Sequence, residues 1–136
     1  MPDIMTAKER SERMALVKGK NSKPEMRVRS LVHRLGFRFR LHVSGLPGKP
    51  DIVLPRHAKI ILVHGCYWHR HGVCRPLSIP DTNPRFWREK FAGNLRRDRA
   101  NLRQLRRLGW KVLVIWECQT KNIARLQEML ETFLNR

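Results

Sequence analysis

The eleven residues from His64 to Cys74 read His-Gly-Cys-Tyr-Trp-His-Arg-His-Gly-Val-Cys, and the third cysteine of the chain stands far downstream at Cys118. Thiolate sulfur and imidazole nitrogen are the ligands zinc prefers, and a structural site closes a tetrahedron with four of them. Cys66, His71, Cys74 and Cys118 supply such a set, with His69 as the alternative fourth ligand. The Cys-x4-His-x2-Cys spacing lets one loop wrap the ion, so the fold must bring residue 118 back to that loop. Three cysteines cannot all pair internally, which favours a metal over disulfides and a reducing compartment.

The remaining pattern fits one mixed α/β domain. A chain of 136 residues with 41% apolar content can bury a single core. Thr6-Ala-Lys-Glu9 reads as a capping box opening a basic helix to about Val17, and Ser22-Lys-Pro-Glu25 as a second one. Val28, Leu31, Val32 and Leu35 give the second helix an apolar face that Gly36 ends. Phe37, Phe39 and Leu41 alternate with Arg38, Arg40 and His42, as in a half-buried strand. After the Gly45–Pro50 loop, Asp51–Leu54 and Ala58–His64 form a hairpin at the sheet centre. Asn83-Pro84 caps a long helix through Leu108. Trp110–Trp116 is a continuous apolar run expected to be covered on both faces. A last amphipathic helix from Asn122 to about Leu134 uses Ile123, Leu126, Leu130 and Phe133. A mixed sheet flanked by helices follows, the last strand returning beside the third through the long helix.

Charge narrows the partner. Lys and Arg number 29 against 11 Asp and Glu, a formal net charge of +18, so the surface attracts polyanions and nucleic acid is the expected partner. Nine of these cations lie between Arg85 and Arg107, facing only Glu89 and Asp98, a density suited to tracking phosphates. No apolar stretch reaches membrane-spanning length, and the first residues lack the apolar segment of a secretory signal, so a cytoplasmic protein with no membrane partner is expected.

One edge of the expected sheet gathers chemistry. Asp51 begins a strand and His64 ends the next, which places a carboxylate near His64 and His69, with Glu25 at the start of a helix that abuts the same edge. Such a carboxylate suits Mg²⁺, and a histidine, with its ordinary pKa of about 6.5, suits proton removal from an attacking water. Asp98 on the long helix is placed to orient an imidazole. This is the chemistry of phosphodiester hydrolysis.

The series Pro50-Asp51, His64-Gly-Cys66-Tyr-Trp68-His69, Phe86-Trp87, Asn94, Arg97-Asp98-Arg99, Leu108-Gly-Trp110-Lys-Val and Trp116-Glu-Cys118 closely resembles the very short patch repair (Vsr) DNA mismatch endonucleases. The resemblance runs from about Arg10 to Cys118. It implies a restriction-endonuclease-like fold with an αβββαβ core and a structural zinc loop, as one domain over residues 1–136. It implies Mg²⁺-dependent nicking of one strand of double-stranded DNA, 5′ to the thymine of a T·G mismatch of the kind left by 5-methylcytosine deamination. On this reading Asp51 is the metal-binding carboxylate and the Val63 carbonyl a second Mg²⁺ contact. His69 is the general base and His64 its partner, with the two roles exchangeable, and Glu25 orders the water shell of the metal. The zinc ligands fall on Cys66, His71, Cys74 and Cys118.

Tyr67, Trp68 and Trp87 match the rings that family members push between base pairs beside the mismatch, offsetting part of the unstacking cost. The basic helix within residues 1–20 grips the minor-groove side, with Met14 as an apolar wedge. Asn94 and Asp98 support the site. The resemblance implies a bacterial protein that works on the nucleoid as a monomer, with mismatch-repair proteins as candidate partners. The alternative is a noncatalytic zinc-containing DNA-binding module that senses distorted DNA.

Overall fold

A computed structural model describes residues 22–67, 69–71 and 78–136. The expected Thr6–Val17 helix, Met14, Trp68 and Cys74 lie outside the described residues. Helix α1 (Lys23–Arg34) starts at Ser22, whose Oγ accepts the Glu25 backbone N–H at 3.4 Å, with proline in the first turn. The reciprocal half of the expected capping box does not form, because the Glu25 side chain turns to His42 and Arg29 instead. Gly36 adopts φ 89 just past the helix, and Phe37 N–H returns to Val32 O, closing the helix with the left-handed residue such an ending needs.

The sheet runs β1 (Arg40–Leu41), β2 (Ile52–Leu54), β3 (Lys59–His64), β4 (Lys111–Trp116), in that spatial order. The first two pairings are antiparallel and β3–β4 is parallel, from Lys59 opposite Lys111 to His64 opposite Trp116. The crossover is helix α2 (Pro84–Arg107), capped by Asn83, whose side chain accepts from Phe86 N–H. Helix α3 (Ile123–Leu134) follows a short 3₁₀ turn at Glu117–Lys121.

Alternation along the strands sends side chains to two layers. Ile52, Leu54, Ile61 and Ile115 pack with Val28, Leu31 and Val32 of α1 and Leu126, Leu130, Phe133 and Leu134 of α3. Val53 and Ile60 face the other way, onto Leu105 of α2, with Leu62, Trp110 and Val112 at the margin. The result is a helix–sheet–helix sandwich with a mixed sheet, consistent with a restriction-endonuclease-like fold. Among the described residues, no helix is long and apolar enough to cross a membrane.

Three expectations are corrected. The strand read from Phe37 to His42 shrinks to Arg40–Leu41, and its far end stops where His42 takes φ 49 and leaves extended geometry. Trp110–Trp116 is not covered throughout: among the described residues β4 ends the sheet with one neighbour, and in that strand Ile115 alone is fully buried. Ile123 is 45% exposed, and Leu134 takes the expected place on the inner face of α3.

Lys59, the charged first residue of β3, is buried. Its Nζ donates to the carbonyls of Phe133, Leu134 and Arg136 at 2.7, 3.0 and 3.3 Å, capping α3 with a cation where the helix dipole is negative. Burial, then Lys111 and Arg136, holds this ammonium below the usual lysine range.

Candidate active site and zinc centre

Among the described residues, three groups of ligating side chains lie along the rim of the sheet near the ends of β2, β3 and β4. The first is Glu25, His42 and Asp51, whose donor atoms all lie within 4.8 Å of one another. Asp51 immediately precedes β2, and its Oδ2 accepts the Val63 N–H of β3 at 2.8 Å. Burial pushes the Asp51 carboxyl up to about 6; the Val63 hydrogen bond opposes this, Glu25 adds to it and His42 lowers it. Glu25 is 2% exposed, its oxygens contacting His42 Nε2 at 3.0 and 3.1 Å and Arg29 Nη1 at 3.3 Å. Two carboxylates and an imidazole form a donor set that fits a divalent cation, with oxygens for a hard ion.

The second group is His64, His69 and Asp98. The two imidazoles stack at 3.9 Å with 5° between their planes. His69 Nδ1 lies 2.5 Å from Asp98 Oδ2. A nitrogen that close to a carboxylate carries the proton, so Nε2 is the nitrogen of His69 able to accept one. Burial first, and then His69, lowers His64 to about 4, while Asp98 pulls the other way. These surroundings favour the uncharged form of His64.

The two groups meet at consecutive residues of β3. Val63 donates its N–H to Asp51, and His64 stacks on His69. The sequence pattern expects Asp51 beside His64 and His69; the structure gathers Asp51 with Glu25 and His42, and joins it to the histidine pair through the Val63–His64 backbone.

The third group is Cys66, His71 and Cys118, the expected zinc ligands that fall among the described residues. Cys118 N–H approaches Cys66 Sγ at 3.4 Å, and Cys118 Sγ lies 3.6 Å from His71 Nδ1. Two thiols and an imidazole at this range form a soft donor set that fits zinc, one ligand short of a closed tetrahedron. Glu117 Oε1 accepts the Cys66 N–H, tying the loop to the end of β4. Trp116 carries both groups on one ring: His71 stacks on it at 4.2 Å, and His64 meets it edge-on at 5.2 Å.

The aromatic residues separate. Trp87 is 4% exposed and packs with Phe91, against Tyr67 and Ile79, whereas its neighbour Phe86 is 49% exposed. Arg70 lies 4.0 Å from the Phe91 ring centroid and 5.4 Å from that of Tyr67, and donates to Ser78 O, which fastens the loop to α2. Asn94 is buried, its Oδ1 accepting from Arg97 Nη2 at 2.6 Å.

His42, Arg70 and the bridging role of Trp116 were not visible in the sequence. His42 read as a solvent-side strand residue, and no pattern marks the left-handed turn that redirects it.

Comparison with known proteins agrees with this architecture. The profile of the family described as DNA mismatch endonuclease Vsr matches residues 2–75. The type II nicking enzyme V.XorIIP of Xanthomonas oryzae pv. oryzae is 40% identical, over 99% of this chain and 98% of that protein. The type II nicking enzyme V.NmeAIP of Neisseria meningitidis is 42% identical, over 96% of this chain and 92% of its own length. The DNA mismatch endonuclease Vsr of Escherichia coli is 36% identical, over 94% of this chain and 81% of that protein. With the profile covering more than half of the chain and relatives above 30% identity covered over four fifths or more of their length, this chain belongs to the Vsr family of DNA mismatch endonucleases.

Proposed function

We propose that the protein is a DNA endonuclease that nicks one strand 5′ to the thymine of a T·G mismatch, using Mg²⁺ for phosphodiester hydrolysis and zinc to hold its loop. The observation that carries this reading is the hydrogen bond from Val63 N–H to the Asp51 carboxylate, one residue before the His64–His69–Asp98 stack. It ties the Asp51 carboxylate, just before β2, to Val63 of β3, whose neighbour His64 stacks on His69.

Asp51 and Glu25 would hold the divalent cation, with the Val63 carbonyl as a further contact. A cation bound there supplies positive charge against the oxygens of the scissile phosphate. His69 takes the proton of the attacking water at Nε2. Asp98 fixes the tautomer and steadies the imidazolium that forms, as a carboxylate does behind a catalytic histidine. His64, kept neutral by burial, adds no competing charge and holds the plane of His69 by stacking. Cys66, His71 and Cys118, with Cys74, would bind zinc, whose site shares Trp116 with the histidine pair.

The net charge of +18 suits the polyanionic substrate, with the arginines of α2 tracking phosphates. Tyr67 and Trp68 are the rings offered to the opened mismatch, with Trp87 packed behind Tyr67 and Met14 entering from the other groove. The protein acts as a monomer on the bacterial nucleoid, where mismatch-repair proteins are candidate partners.

Replacing Asp51 with Ala tests this function. Nicking of a T·G duplex lost with binding retained supports the enzyme. A wild-type protein that binds the duplex in Mg²⁺ and never cuts supports a noncatalytic binding module instead.

A further inference from the structure

Between β1 and the Gly45–Pro50 loop the backbone does something costly. His42 sits at φ 49, a left-handed conformation that a non-glycine residue visits at a penalty and that clusters at functional sites. The turn ends β1 and swings the imidazole inward. Its backbone N–H then bonds to the Asp51 carbonyl at 3.1 Å, while its Nε2 sits between the two oxygens of Glu25 at 3.0 and 3.1 Å. One residue is thus clamped to both acids at once, by main chain to one and by side chain to the other. The imidazole side chain is 11% exposed and the Glu25 side chain 3%.

The spacing suits a ligand sphere. His42 Nε2 and Glu25 Oε1 are hydrogen-bonded at 3.0 Å, which is also about the gap between two cis donors each ~2.1 Å from one ion, so a cation can replace the Nε2 proton with little movement of either side chain. All three donor atoms, from His42, Glu25 and Asp51, fall within 4.8 Å of one another. Each carboxylate is also steadied from outside the cluster, Glu25 by Arg29 and Asp51 by Val63 N–H.

We propose that His42 is a nitrogen ligand to the divalent cation held by Asp51 and Glu25, and that it shifts the site from Mg²⁺ toward Mn²⁺ and similar borderline ions. The proposal rests on the reading of Asp51 as a cation ligand. Its chemistry is general: imidazole is a poor partner for Mg²⁺, which keeps oxygen ligands and its own waters, and a good one for later first-row ions.

Mn²⁺ titration of the full-length, zinc-loaded protein, followed by electron paramagnetic resonance, counts bound ions, and spin-echo modulation from nitrogen-14 reports an imidazole on the metal. The variant is His42→Asn, because asparagine tolerates left-handed backbone and carries no imidazole. The expected result is nitrogen modulation in the wild type that disappears in His42→Asn. Mn²⁺ affinity then falls on the order of tenfold while Mg²⁺ affinity changes less than about threefold.

Modulation that persists in His42→Asn places the nitrogen on another histidine and overturns the proposal. Mn²⁺ binding that depends on Asp51 but shows no nitrogen in the wild type also overturns it, and leaves Asp51 as the cation ligand. Mn²⁺ binding unchanged in Asp51→Ala removes the underlying reading and the proposal with it. Should His42→Asn not fold, His42→Gln takes its place, and the wild-type spectrum alone retains the power to refute.

Discussion

Asp51 is held in its charged form against the preference of its surroundings, and that has a measurable thermodynamic signature. Burial raises its carboxyl from 3.8 to about 6. A raised carboxylate binds more protons in the folded than in the unfolded state between these two values, so stability falls as pH climbs through that window and stays lower above it. The difference of about 2 pKa units corresponds to about 3 kcal/mol at neutral pH, an upper figure because water and cations relieve part of it. Asp51→Asn keeps an oxygen for the Val63 N–H and removes the charge. In buffer without divalent cations, it is therefore expected to stabilise the protein by about 1–3 kcal/mol at pH 7.5 and by little at pH 4. Urea unfolding of both proteins at the two pH values reads this directly. Mg²⁺ is expected to raise the wild-type midpoint and leave that of Asp51→Asn unmoved. A variant less stable than wild type at pH 7.5, or a gain equal at both pH values, refutes the argument that this site trades stability for cation binding.

Asp98→Asn removes the carboxylate charge behind His69 Nδ1 and allows an amide N–H to face that nitrogen, which favours the other tautomer. Single-turnover nicking is expected to slow by about 10²-fold or more, with DNA affinity within about threefold, as filter binding would show. Lys59→Met leaves the three carbonyls at the end of α3 without their donor and is expected to cost about 1–3 kcal/mol in urea unfolding, with nicking per folded molecule unchanged. If Cys66, His71 and Cys118 hold zinc as proposed, a chelator is expected to release one zinc per chain, measured by a colorimetric dye, and to change Trp116 fluorescence, because His71 stacks on that indole.

The elements that local rules define were legible. Helix α2 announced itself by Asn83-Pro84 at one end and Gly109 at the other, and its boundaries agree to within a residue. The β2–β3 hairpin and the parallel return of β4 followed from apolar runs and the length of the crossover. Cys66, His71 and Cys118 come together, as the sequence pattern of cysteine and histidine suggests.

What stayed hidden was set by tertiary direction. Arg40 and His42 share a strand pattern, but a single left-handed φ turns His42 into the acidic cluster. Lys59 sits in an apolar strand like any register exception, and its purpose appears once the end of α3, more than seventy residues later, is laid beside it. Glu25 satisfied a capping-box pattern while its side chain served the site instead.

A nicking assay in Mg²⁺ on duplexes carrying a single T·G mismatch in randomised flanks tests the central claim most directly. The account expects one strand cut 5′ to the mismatched thymine in a subset of flanks, with the matched T·A duplex left intact. Equal cutting of matched and mismatched duplexes, or tight mismatch binding with no cut in any flank, would contradict it.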